Sequence, residues 1–230
     1  MFQLAVAPRN RYQAPRYLLY RLSADSAEGW ARIPPIALLT DMYGDEVLRG
    51  EAKIRVAYDD EYLYLRAEIP ESALTIMPEL APDDGLFWRQ DHIEFRVQPD
   101  PTDPARQLQF LFVPDGRFFD SLGLWQRVDN PARPSCSGKI AADGWGIRCR
   151  IPLATCEIAA LTPGIVLRAL VAHSRWANSG LDAACSSAVE IGFQQAERFT
   201  DFVVAEERPV RLAGIAFPSS SLQVGENTAG

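Results

Sequence analysis

Glu94 and Gln109 lie in runs that alternate polar and apolar residues, and Arg117 follows the turn Pro114-Asp115-Gly116. A carboxylate, a carboxamide and a guanidinium are planar groups that can grip hydroxyls, each of which donates one hydrogen bond and accepts two. Indoles supply the complementary surface, because a flat ring packs on the C–H face of a sugar while polar neighbours hold its rim. Trp88 comes after Gly85-Leu86-Phe87 in an expected loop. Trp176 closes an apolar run among Arg175, Asn178 and Gly180, and Trp125 follows Leu122-Gly123-Leu124. These three are candidate ligand contacts, whereas Trp30 and Trp145 read as core. Simpler readings stand beside these: Glu94 as a solvated strand residue, and Arg117 as the surface partner of Asp115 or Asp120, an arrangement worth little energy.

Catalytic patterns are weaker. The chain has two histidines, His92 and His173. It has no Gly-x-Ser-x-Gly elbow, Walker loop or dinucleotide fingerprint. Glycoside hydrolysis needs two carboxylates about 5–9 Å apart across a cleft. Asp91 and Glu94 have opposite strand parity, so they point to opposite faces. Asp59 and Asp60 belong to a hairpin and are expected to shape its turn. We therefore expect no enzyme activity. Met42, Met77, His92 and His173 are the available Met and His haem ligands, and nothing in their spacing favours that use. Cys136, Cys149, Cys156 and Cys185 form no Cys-x-x-Cys pair, which argues against zinc. They are expected to be reduced and structural, with a Cys136–Cys149 bridge as the alternative in an exported protein.

The elements that must position these residues are strands. Lys53–Tyr58 and Asp91–Val97 alternate; in the second, Ile93, Phe95 and Val97 share one face and His92, Glu94 and Arg96 the other. Tyr62–Ile69, Gln107–Val113, Trp145–Ile151, Ile165–His173 and Phe199–Ala205 are further strands, separated by Gly, Pro and Asp turns. An early strand is expected within residues 1–20. Helical signal is confined to short turns at Asp25–Trp30 and Leu153–Leu161. This pattern predicts an all-β fold, an antiparallel, jelly-roll-like β-sandwich with few short helices. We expect residues 1–217 to form one domain and residues 218–230 a flexible tail.

Composition bounds the partners. The 230 residues are 47% hydrophobic and 23% charged, enough for a sizeable core. A formal net charge of −7 disfavours nucleic acid, and no polybasic stretch offers itself to an anionic membrane. The first ten residues lack a basic region and a long apolar run, so a cytoplasmic location is favoured, with export as the alternative if a signal has been removed.

Four segments, taken in order, resemble the family 9 carbohydrate-binding modules. Ala57-Tyr58-Asp59-Asp60-Glu61-Tyr62-Leu63-Tyr64-Leu65 resembles the family's axD(d/e)xxLYl hairpin, and Trp88–Phe95 its WxxDxxE(i/v)f strand. Asp143–Leu153 resembles dGWxxExxIPl, and Arg168–Trp176, followed by Phe199-Thr200-Asp201-Phe202, resembles its penultimate strand. Related DOMON-like sandwiches share the framework, and some of them hold haem. The resemblance implies non-catalytic binding of a glycan end or small sugar. It implies Trp88 and Trp176 as aromatic walls, with Glu94, Gln109, Arg117 and His173 as polar contacts. The family more often has Asn at His173 and Glu at Arg148. It often carries calcium, for which no Asp-rich loop is evident here, so calcium is possible but no cofactor is required. The alternative is an orphan sandwich with a structural or protein-binding role. Oligomeric state is left open.

Overall fold

The computed structural model describes residues 15–206, apart from 24, 48–50, 83, 85, 101, 124–125, 128–131, 178–179 and 191. The expected C-terminal tail and Trp125 lie outside the described residues.

The described residues fold as twelve strands in one continuous sheet. They are β1 (Arg16–Arg21), β2 (Lys53–Tyr58), β3 (Tyr62–Ile69), β4 (His92–Gln98), β5 (Leu108–Phe112), β6 (Phe118–Leu122), β7 (Gln126–Arg127), β8 (Ser135–Ala141), β9 (Gly144–Pro152), β10 (Val166–Ala177), β11 (Gly180–Cys185) and β12 (Thr200–Val204). Their order is β7-β6-β5-β4-β10-β12-β1-β2-β3-β9-β8, with β11 beside β10. The expected antiparallel order holds for every pair except those of β1, which runs parallel to both neighbours. Residues Arg16–Leu19 pair with β12, and Tyr20 and Arg21 with β2, so six residues join the two halves of the sheet.

The sheet curls over on itself. The inward side chains of both halves, among them Val56, Leu65, Phe95, Phe110, Ile147 and Val171, form one core. Phe95, Phe110, Phe112 and Phe118 run through it as a chain of ring contacts with centroids 6.1–6.5 Å apart. Closure is tightened where the β5–β6 turn meets β8. A Cβ on Gly138 would overlap the Pro114 carbonyl, so only glycine allows that backbone approach. Gly116, with φ of 89°, makes the turn itself and donates its N–H to Val113 O at 2.9 Å.

Local chemistry explains the hairpins. Asp59 accepts from the N–H groups of Glu61 and Tyr62, each at 2.8 Å, and from the Tyr64 hydroxyl at 2.5 Å. This Asx-type geometry fixes the β2–β3 turn. The one α-helix among the described residues, α1 (Ala27–Ala31), begins at Ser26, whose Oγ accepts from Gly29 N at 3.1 Å, and it buries Trp30. Trp30 and Trp145 are core, 3% and 4% exposed. The segment Leu153–Leu161 is a turn rather than a helix. Glu157 adopts φ of 57°, and Ile158 N bonds to Leu153 O at 2.9 Å, which ends any helical register.

Candidate functional site

One face of β4 looks into the core and the other looks outward. The outward row is His92, Glu94, Arg96 and Gln98, joined on β5 and β6 by Gln109 and Ser121. The sequence pattern assigns the faces correctly, but this outward face is not solvated: Glu94 is 5% exposed and Arg96 2%. Two apolar clusters flank the row. Phe87, Leu80 and Trp88 pack on Leu111, Val113 and Phe119, while Val189, Phe193, Ala196 and Phe199 pack on Leu170 and Ala172.

Burial obliges these polar groups to satisfy one another. Glu94 Oε1 accepts from Arg96 Nε and from Gln109 Nε2, the latter at 2.9 Å. Ser121 Oγ donates to Gln109 Oε1 at 3.2 Å. Glu94 and Gln109 therefore meet as expected, but as each other's partners. Arg117 is used differently again. It pairs with Asp115, donates to the carbonyls of Leu80 and Met77, reaches Gln90 Oε1 at 3.4 Å and lies over Phe87. It thereby ties down the loop that carries Trp88.

Trp88 and Trp176, 88 positions apart in sequence, meet at one end of this face. Both are half-buried, with ring centroids 5.2 Å apart and planes at 63°. A sugar clamped between two parallel rings needs about 7–8 Å, two van der Waals contacts, so the observed edge-to-face pair is closed against that arrangement. Arg89 lies over the Trp88 ring, 5.3 Å from its centroid. Asp91 supports the pair: it accepts from Trp176 N at 2.5 Å and from Thr75 N at 3.0 Å, while Thr75 Oγ1 donates to Trp176 O. Burial raises the Asp91 carboxyl above the ordinary carboxylate range, and the backbone donors only partly offset that.

His173 lies on the opposite face from Glu94, because Ala172 is the residue that pairs with Glu94 while His173 pairs with Ile93. There it touches the edge of Trp145, with ring centroids 5.9 Å apart, and Glu71 at 3.8 Å. Arg175 completes that cluster through Glu71. Thr75, Asp91, Glu71 and Arg175 were not picked out from the sequence. Strand parity places Arg175 with His173, but nothing local indicates that the segment from Glu71 to Thr75 crosses the end of the sheet. The two histidines lie on opposite faces of the sheet. His92 Nδ1 donates to Gln90 O at 2.7 Å, which leaves Nε2 as its other ring atom, and the opposed faces give no support to the two rings sharing one haem. Among the described residues no group of three or more His, Cys, Asp or Glu is placed to hold a metal.

All four cysteines are free thiols. Cys136 and Cys149 face each other across β8 and β9. Burial and the neighbouring Cys136 sulfur push the Cys149 thiol well above its ordinary range.

No family model matches the chain, and no curated protein matches it. Solved structures do. A family 9 carbohydrate-binding module from Caldicellulosiruptor kristjanssonii, in complex with glucose, is 14% identical, with a TM-score of 0.59 over 86% of this chain and 100% of that one. The cellotriose complex of a module from the same organism gives 15% and 0.61, over 87% and 98%. A candidate carbohydrate-binding protein from Bacteroides uniformis gives 14% and 0.63, over 84% and 100%. The chain thus shares the fold of the family 9 modules.

Proposed function

We propose that this chain is a non-catalytic carbohydrate-binding domain whose ligand packs on the Trp88–Trp176 pair. The observation that carries the proposal is that pair: two half-buried indoles from distant segments, brought together at the end of a fold whose solved neighbours hold glucose and cellotriose. With Arg89 over one ring, the stacking face is that of Trp176, and Trp88 buttresses it edge-on. Arg117 sets the height of the Trp88 loop, and Glu94 and Gln109 form a rigid floor beneath it. His173 acts from the far face, through Glu71 and Arg175. The curled sheet plays the part of the two-layered, jelly-roll-like sandwich, with residues 1–217 as one unit.

The test is calorimetric titration of glucose and cellotriose into the wild type and into Trp176→Ala and Trp88→Ala. We expect saturable binding in the wild type. In Trp176→Ala affinity should fall at least tenfold, with the unfolding transition still cooperative. Unchanged affinity in both variants would remove the pair from the site. No heat with either sugar would favour the structural or protein-binding alternative.

A further inference from the structure

The second half of the sheet has an outer face unlike the first. Arg55, Arg66 and Arg148 stand directly abreast on β2, β3 and β9, because Arg55 pairs with Arg66 and Arg66 with Arg148. On the next rung Lys53 pairs with Glu68, Glu68 with Gly146, and Gly146 with Lys139 of β8. Strands lie about 4.8 Å apart, so five basic groups fall within a few strand widths of one another. One carboxylate, Glu68, stands on these two rungs, and it is already engaged by Arg66 and, at 3.6 Å, by Arg55. Arg55 is further held by Ile33 O at 2.9 Å. Lys53, Lys139 and Arg148 are exposed, and Arg148 makes no ion pair among the described residues.

These groups line a groove. A cavity of about 630 Å³ runs over Lys53, Arg66, Lys139 and Arg148, with Glu51, Glu68 and Asp143 also on its lining, and a second of about 380 Å³, which includes Asp25, adjoins it and shares Ser137 and Arg148. Gly146 keeps the floor low, since even a Cβ there would come within 2.9 Å of Ala67 O. Tyr64 and Trp30 form the wall of the second cavity. Arg148 is thus the central side chain of the groove, a guanidinium with free donors in water-accessible space.

We propose that this groove is a second ligand site and that it takes an acidic oligosaccharide built from uronic acids. A guanidinium matches a carboxylate with two parallel hydrogen bonds, and the lysines add point charges along the same line. The Tyr64 ring and the bare backbone at Gly146 leave room for the sugar rings between the charges. The chain as a whole carries −7, so an extended polyanion such as nucleic acid is repelled outside this strip, whereas a short acidic glycan fits within it.

The experiment titrates trigalacturonate and its methyl ester into wild type, Arg148→Glu and Lys139→Glu at about 50 mM salt, where surface charge is weakly screened. We expect saturable binding of the acid, at least tenfold weaker in each variant, weakened by added salt, and absent for the ester. Trp176→Ala should bind the acid as the wild type does. The proposal is overturned if the acid does not bind, if acid and ester bind alike, or if both groove variants bind like the wild type. Equal or tighter binding of an acidic peptide, tested as oligoglutamate, would overturn the glycan assignment.

Discussion

The outer faces of the two halves of the sheet both carry rows of charged and amide side chains, yet one row is sealed and the other is open. On β4 and β5 the loops before β4 and after β11 close over the row, and Glu94, Arg96, Gln109 and Ser121 spend their hydrogen bonds on each other. On β3 and β9 no such cover lies over Arg148 among the described residues, and its side chain is exposed. The same alternation thus gives a structural floor in one place and a recognition surface in the other. Cover decides which, because a buried charge must be paired whereas an exposed one need not be.

The contrast predicts a large difference in stability. Glu94→Ala leaves the Arg96 guanidinium, 2% exposed, without its carboxylate, and breaking a buried pair this way costs about 3–5 kcal/mol. Urea unfolding should show a loss of that size. A loss below about 1 kcal/mol would mean that water reaches the row and that this face is not sealed.

Next in size is the join between the halves. Gly138→Ala drives a methyl into the Pro114 carbonyl, and overpacking of a rigid backbone contact costs about 1–3 kcal/mol. A neutral result would show that the β5–β6 turn stands off β8. Sugar binding at the tryptophan pair should survive the substitution.

The sealed face should also respond to pH. Burial depresses the pKa of His92, so the folded state holds it neutral while the unfolded chain takes up a proton near pH 6.5. The unfolded state then binds more protons, and stability falls as pH drops from 7 to 5, by at most about 1.4 kcal/mol per unit. Asp91 works in the opposite sense, because its carboxyl, raised by burial, takes up its proton earlier in the folded state as pH falls. His92→Gln should flatten the slope above pH 5. An unaltered slope would assign the proton uptake to another group.

Strand existence was legible from period-two patterns wherever one face meets the core, as in β3, where burial alternates without a break. Four strands were not singled out. β8 is exposed along almost its whole length, so it has no apolar phase to read, and β11 is a run of small residues ordered by its partner β10. At the candidate site, the approach of Trp88 to Trp176 followed from the family-like spacing, and the parity of Glu94 from its strand. The burial of Glu94 was not legible, because the segments that cover it are irregular, and neither was the side of His173, which depends on the β4–β10 register. Parallel pairing of β1 was likewise invisible, since parallel and antiparallel strands share one periodicity.

Arg148 gives the smallest stability effect and the sharpest test of the contrast. It stands where the family pattern more often has Glu, on an exposed rung beside Arg66. Removing a guanidinium that holds nothing should shift the urea midpoint by no more than about 0.5 kcal/mol, the usual range for an exposed site. Relief of repulsion from Arg66 could even make Arg148→Ala slightly stabilising. A carboxylate in its place would face Arg66 directly across the strands, and opposite charges so placed stabilise by about 0.2–1 kcal/mol. Arg148→Glu should therefore fold at least as well as the wild type while losing its hold on acidic sugars. If instead Arg148→Ala cost more than about 1 kcal/mol, the guanidinium would be part of the scaffold, and the two faces would differ only in depth.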